Sequence, residues 1–126
     1  MAMADSILVV SPDATTLRGL TRALAGSGLP VTSALGWSEG ELRLRHLPVS
    51  VMVTDLEELG AAEIVWLRRL RSEFPHVEVI ALVSLPTPEV LAATAQGLVL
   101  SVFEKPIALA RLEESVKLAL ARRPVP

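Results

Sequence analysis

The stretch VSVMVTDLEELGAAEIVWLRRLRSEFPHVEVIALV, Val49 to Val83, decides the fold. It opens on a nearly continuous apolar run rich in β-branched residues, Val49–Val53, broken only by Ser50, and closes on a second, Val77–Val83, broken only by Glu78. Pro48 bounds the first run, and Pro75 and Pro86 bracket the second. Neither run alternates apolar with polar residues, as a strand with one wet face would. Continuously apolar strands suit a parallel sheet covered on both sides. Between the two runs Ile64, Leu67, Leu70 and Phe74 recur at helical spacing, and Pro75 ends that helix.

The same alternation extends in both directions. Ile7–Val10 and Leu98–Phe103 are further apolar runs, and Val31–Ala34 is a weaker one. Leu17, Leu20 and Leu24 share a helix face that Gly26 or Gly28 can stop. Ser38 caps a second helix that reaches Leu47, and a fourth runs from Thr87 or Pro88 to Gln96, with Gly97 as its stop. Leu109, Leu112, Val116 and Leu120 stripe the fifth. The order βαβαβαβαβα with right-handed crossovers gives a doubly wound five-stranded parallel α/β fold. The expectation is one domain over residues 1–126, with a core from about 6 to 121 and residues 122–126 as a tail or the start of a linker.

Composition narrows the function classes. The chain has 126 residues, 51% of them hydrophobic and 21% charged, which suits a globular domain with a sizeable core. Net charge is -2, and the only basic clusters are Arg68, Arg69 and Arg71 on one helix and Arg122 and Arg123 near the end. These read as solvated faces, not as a nucleic-acid footprint. There is no cysteine, so disulfides and thiolate metal sites are excluded, and a reducing cytoplasm is the expected setting. Met1–Ser6 is too short and polar for a signal peptide, and no apolar run reaches membrane-spanning length. His46 and His76 have no metal-spaced companions and read as surface residues. Trp66 falls beside its helix stripe, so it is expected to be partly exposed, in a packing role first and an interface role second. The GSG at Gly26–Gly28 does not follow a strand directly, which fails the context of a phosphate-binding loop.

In doubly wound sheets, ligands sit at the carboxyl ends of the strands. The residues to weigh are therefore Ser11–Asp13, Asp55, Val83–Ser84 and Lys105. Asp55 follows a mainly apolar run, so its carboxylate is partly buried and needs a cation or donors. Lys105 stands just past the last strand, where Pro106 denies it the helical region and turns the chain. The sequence holds only Asp5, Asp13 and Asp55 as aspartates and only Lys105 and Lys117 as lysines, so a pair at one sheet edge stands out. Read locally, SPD is a helix start: Ser11 as N-cap, Pro12 at the first helical position, Asp13 complementing the dipole.

The segments ILVV, VSVMVTDL, IVWLRRLR, VEVIALVS and VFEKP, in that order and spacing, resemble the receiver domain of bacterial two-component response regulators over about Ser6 to Ala121. The interval from Val83 to Lys105 also fits that family. The resemblance implies the flavodoxin-like (βα)5 fold, with Asp55 as the acceptor of a phosphoryl group from a histidine kinase and Lys105 as its cationic partner. It implies a Mg²⁺ site whose acidic pair would stand at Ser11 and Pro12 and whose carbonyl ligand would come from Glu57. It places the switch hydroxyl at Val83 and the switch aromatic at Val102. The chain departs from the pattern at four of these positions, and Ser84, one residue past Val83, faces the other way on a strand. The loop LEELGAAE also lacks the proline and the glycine the family commonly has after the acceptor. Asp13, one residue late, and Glu57 are left to join Asp55 in a weak Mg²⁺ site, because Mg²⁺ depends on carboxylates in near-octahedral array.

Two functions follow from the resemblance. One is a phosphorelay receiver with a degraded Mg²⁺ site, no enzyme beyond phosphorylating and dephosphorylating itself. The other is a phosphorylation-independent pseudo-receiver that acts as a protein-interaction module. The implied partners are a histidine kinase or another signalling protein, or a second copy through residues 88–120, with no nucleic acid and no membrane. A small nucleotide- or flavin-binding α/β protein is the third reading, and the missing glycine-rich loop after the first strand speaks against it.

Overall fold

The computed structural model describes residues Ser6–Arg122. Five strands alternate with five helices: β1 (Ile7–Ser11), α1 (Ala14–Ala25), β2 (Val31–Leu35), α2 (Gly36–His46), β3 (Val51–Glu58), α3 (Ala61–Glu73), β4 (Glu78–Leu85), α4 (Pro88–Ala95), β5 (Ser101–Glu104) and α5 (Leu109–Ala121). All strand pairs are parallel and the sheet order is β2-β1-β3-β4-β5. This is the flavodoxin-like doubly wound arrangement. Arg123 and positions 123–126 of the expected tail, together with Asp5, lie outside the described residues.

The continuous apolar runs have a direct structural cause: the inner strands are covered on both faces. Leu8, Val10, Met52, Leu56, Val79 and Ala81 point to one side, where Leu44, Leu67, Leu70 and Ala93 of α2, α3 and α4 meet them. Ile7, Val9, Val51, Val53, Ile80 and Leu82 point to the other, against Leu17 and Leu24 of α1 and Leu112, Val116 and Ala119 of α5. Alternate residues of one strand thus feed two different cores, which removes any need for a polar position.

Several sequence expectations shift at the element ends. The N-cap of α1 is Asp13, not Ser11: its side chain accepts from the Thr16 N–H at 2.9 Å, while Ser11 is the last residue of β1. Helix α2 starts at Gly36, two residues before Ser38. Gly36 at φ 84 turns the chain straight out of β2, and Glu39 reaches back to accept from the Leu35 N–H at 3.1 Å. Strand β5 starts at Ser101, three residues after Leu98, although Leu98 and Val99 are buried. The inward stripe of α5 is Leu112, Ser115, Val116 and Ala119, and Leu109 is 44% exposed. Ser115 can stand on that stripe because its hydroxyl pairs with Ser101 Oγ at 2.9 Å.

Strand β3 also runs further than its apolar run suggests. β1 pairs with β3 only as far as Val10–Thr54, whereas β3 and β4 stay paired out to Glu58–Leu85. Asp55 therefore lies within β3, and a two-stranded ribbon projects beyond it.

Candidate functional site

Register assembles the site. Pairing of Val10 with Thr54 sets Ser11 beside Asp55, and pairing of Val83 with Glu104 brings Lys105 to the same edge. The Lys105 N–H donates to the Val83 carbonyl at 2.8 Å, which anchors the lysine backbone against β4. The Lys105–Pro106 peptide is cis.

Asp55 is 5% exposed and both of its carboxylate oxygens are engaged. Lys105 Nζ donates to Oδ1 at 2.5 Å, and the fully buried Ser11 hydroxyl donates to Oδ2 at 2.8 Å. Ser11 Oγ in turn accepts from the Asp13 N–H at 3.1 Å, so the short β1–α1 turn orients the hydroxyl towards Asp55. One cation and one neutral donor balance one buried carboxylate, and this arrangement meets its desolvation cost without any further charge.

The other expected site residues do not join this cluster. Asp13 is exposed, and its Oδ2 accepts from the Thr16 hydroxyl at 2.6 Å as well as from the Thr16 N–H. Those two bonds, the hydroxyl first, hold the Asp13 carboxyl below its ordinary range. Pro12 and Glu57 are exposed, and Pro12 offers no side-chain donor atom. Among the described residues no three acidic, histidine or cysteine side chains come together as a metal cluster. A Mg²⁺ ion needs hard oxygens in octahedral array, commonly with one or two carboxylates free to bind it. Among the described residues, the one carboxylate at the centre of the cluster already holds a lysine and a hydroxyl, so these residues do not fit that ion. Val83 is buried and Val102 half-buried, both in the core under α2, α3 and α4, while Ser84 stands on the opposite side of β4 from Val83.

A second cluster, next to the site, carried little signal in the sequence. Trp37 of α2 and Trp66 of α3 stack with ring centroids 4.3 Å apart and planes 3° from parallel. Trp66 is 4% exposed, not partly exposed, because Trp37 covers the side of α3 that the leucine stripe leaves open. Its Nε1–H donates to Glu41 Oε1 at 2.9 Å, and Arg69 donates to the same oxygen. Arg69 also lies 3.7 Å from Glu73, Arg68 donates to Gln96 at 2.9 Å, and Arg71 donates to the Val77 carbonyl at 3.3 Å. The arginine run is thus committed to intramolecular partners.

The Arg69 hydrogen bond, aided by the Trp66 N–H, holds the Glu41 carboxyl below the ordinary glutamate value of 4.5. A carboxyl lowered in the folded state adds stability above its unfolded pKa and loses it as pH falls through the folded one. Wild type should therefore exceed Glu41→Gln in stability at neutral pH. The gap should close as pH falls below about 4.5 in urea melts taken across the acid range. A gap that stays constant over that range would show that the charge on Glu41 contributes nothing.

No family model matches the chain, and no curated protein matches it by sequence. Solved structures match it closely in shape. A response regulator receiver domain protein of Clostridium thermocellum superposes with a TM-score of 0.82 at 23% identity, covering 94% of this chain and 95% of that one. A response regulator of Thermotoga maritima gives 0.80 at 22% identity over 94% and 99%. A pilus assembly-related protein of Burkholderia pseudomallei gives 0.82 at 23% identity over 97% and 93%. At these identities the likeness is one of fold, and the fold is that of receiver domains.

Proposed function

We propose that this chain is a receiver-fold signalling module, working in the cytoplasm through contacts with a kinase or another signalling protein and without Mg²⁺-dependent phosphorylation. The observation that carries the reading is the closed state of Asp55: Lys105 on one oxygen, the Ser11 hydroxyl on the other. Phosphoryl transfer onto a carboxylate needs an in-line nucleophile and cations to spread charge over the equatorial oxygens. Here the nucleophile is occupied, and its one cation is spent on the ground state. Val83 and Val102 offer neither a hydroxyl nor an aromatic ring to report a phosphoryl group to the rest of the domain. The face formed by residues 88–120 remains the proposed contact for a partner or a second copy, and exposed Leu91 and Leu118 lie on it.

A second reading, a working relay receiver with Asp55 as acceptor, draws on one observation: Asp55 and Lys105 do meet at the carboxyl edge of the sheet. Intact mass after incubation with Mg²⁺ and a small phosphodonor separates the two. The expected outcome is no added phosphoryl group on wild type. A gain of one group that Asp55→Asn abolishes would establish the relay reading instead. In a separate Mg²⁺ titration followed by tryptophan fluorescence, Ser11→Asp with Pro12→Asp should bind the ion more tightly than wild type. No gain in affinity would sink the placement of the site.

A further inference from the structure

The ribbon that carries β3 and β4 past Asp55 forms part of a groove, of about 470 Å³, that the Asp55 cluster does not use up. Trp37, Leu56, Glu57, Glu58 and Pro12 line it, beside Asp55 itself, with Gly36 and Glu63. Four of these eight residues are acidic and none is basic. Asp55 is held by Lys105 and Ser11, and Glu63 accepts from the Gly60 N–H at 2.8 Å. Glu57 and Glu58 are exposed and form no ion pair among the described residues. The contrast with α2 and α3 is informative, since Glu39, Glu41 and Glu73 there each meet an arginine.

The ring of Trp37 is fixed in place by its stack on Trp66, so using it costs little ordering entropy. An anion would be repelled by this lining, and a purely apolar ligand would leave the two carboxylates without purpose. A divalent ion lacks a converging third ligand among the described residues. A planar cation satisfies every part: a guanidinium binds carboxylates with paired N–H groups and packs on an indole face. We infer that this groove docks an arginine-bearing basic segment of a partner protein, with Trp37 against the guanidinium, Glu58 on the same side of β3 as its carboxylate partner, and Glu57, which alternates to the other side, adding negative charge. The inference rests on the reading of the chain as a protein-contact module, and it does not require that Asp55 accept a phosphoryl group.

The test titrates the whole chain with a short synthetic peptide carrying two arginines, and with the same peptide carrying glutamines. The indole N–H resonance of Trp37, identified with a Trp37→Phe variant, is followed by NMR. The arginine peptide should move that resonance, the glutamine peptide should not, and added salt should weaken the effect. Glu57→Gln with Glu58→Gln should weaken binding about tenfold. Both positions are exposed, so that variant keeps its fold. Equal binding by the glutamine peptide, or undiminished binding by the double variant, would overturn the inference. So would a matching shift from Mg²⁺ or Ca²⁺ alone, which would make this an ion site. A concentration-dependent shift without peptide, lost in the double variant, would also overturn it by making a second copy the occupant. The phosphodonor assay reads Asp55 and is blind to Glu57 and Glu58, so the two failures can be told apart.

Discussion

Lys105→Met should lower the stability of the folded chain by about 2–3 kcal/mol, somewhat under the range for breaking a buried ion pair. The variant keeps the length and the apolar stem of the lysine and removes only its charge and donors. Asp55, at 5% exposure, is then left with the Ser11 hydroxyl and no cation. The loss stays below the full range because the lysine side chain is 26% exposed and water can reach that flank of the carboxylate. For a domain of this size the midpoint of thermal unfolding should fall by roughly 10 °C. Asp55→Asn should cost less, about 1 kcal/mol, because the freed ammonium can turn to solvent and no buried charge is stranded. The double variant should be more stable than the sum of the singles allows, since the unpaired carboxylate is the main penalty in Lys105→Met. The sign of the Asp55→Asn change is itself diagnostic. A site crowded with carboxylates for metal binding gains stability when one is neutralised. Among the described residues no second carboxylate closes on Asp55 to form a metal cluster, so neutralising Asp55 should destabilise. A Lys105→Met protein as stable as wild type would reduce the contact to an ordinary surface pair.

The parts of this architecture that were legible in the sequence are those that burial imposes on each residue separately. Val51–Val53 and Val79–Val83 had to be apolar throughout because successive side chains enter different cores. Asp55 and Lys105 stood out because the chain has only three aspartates and two lysines, and one of each falls at a strand end. What depends on register was not legible. SPD is a sound helix start by residue type, yet the pairing of Val10 with Thr54 keeps Ser11 in the strand and gives its hydroxyl to Asp55, so the cap passes to Asp13. Ser38 is the stronger cap by type, but Gly36 can adopt a left-handed turn and Glu39 supplies the acceptor, so α2 begins early. The α5 stripe reads from apolar residues alone, because nothing in the sequence says that Ser115 has a partner in Ser101. The ribbon beyond Asp55 carries only the faint signal of Leu56 and Leu59 flanking two glutamates.

The tryptophan pair shows the same limit, and it carries the largest energetic consequence. Residues 29 positions apart in the chain, Trp37 and Trp66, meet only because α2 and α3 lie on one face of the sheet. Trp66→Ala should destabilise the domain by about 3–5 kcal/mol, the usual cost of emptying a buried aromatic site. Three losses add there: the buried indole area, the stack on Trp37, and the hydrogen bond to Glu41. Trp66→Phe separates them, because it keeps a ring against Trp37 and removes the N–H. Glu41 still has Arg69, so that variant should cost only about 1–2 kcal/mol. Urea melts of the two variants give both numbers. Trp66→Ala should also release Trp37 from its fixed orientation and weaken the arginine peptide, although Trp66 does not line the groove. A Trp66→Ala protein that loses less than about 1 kcal/mol would mean that the stack is a surface contact, and the groove would then lose its rigid wall.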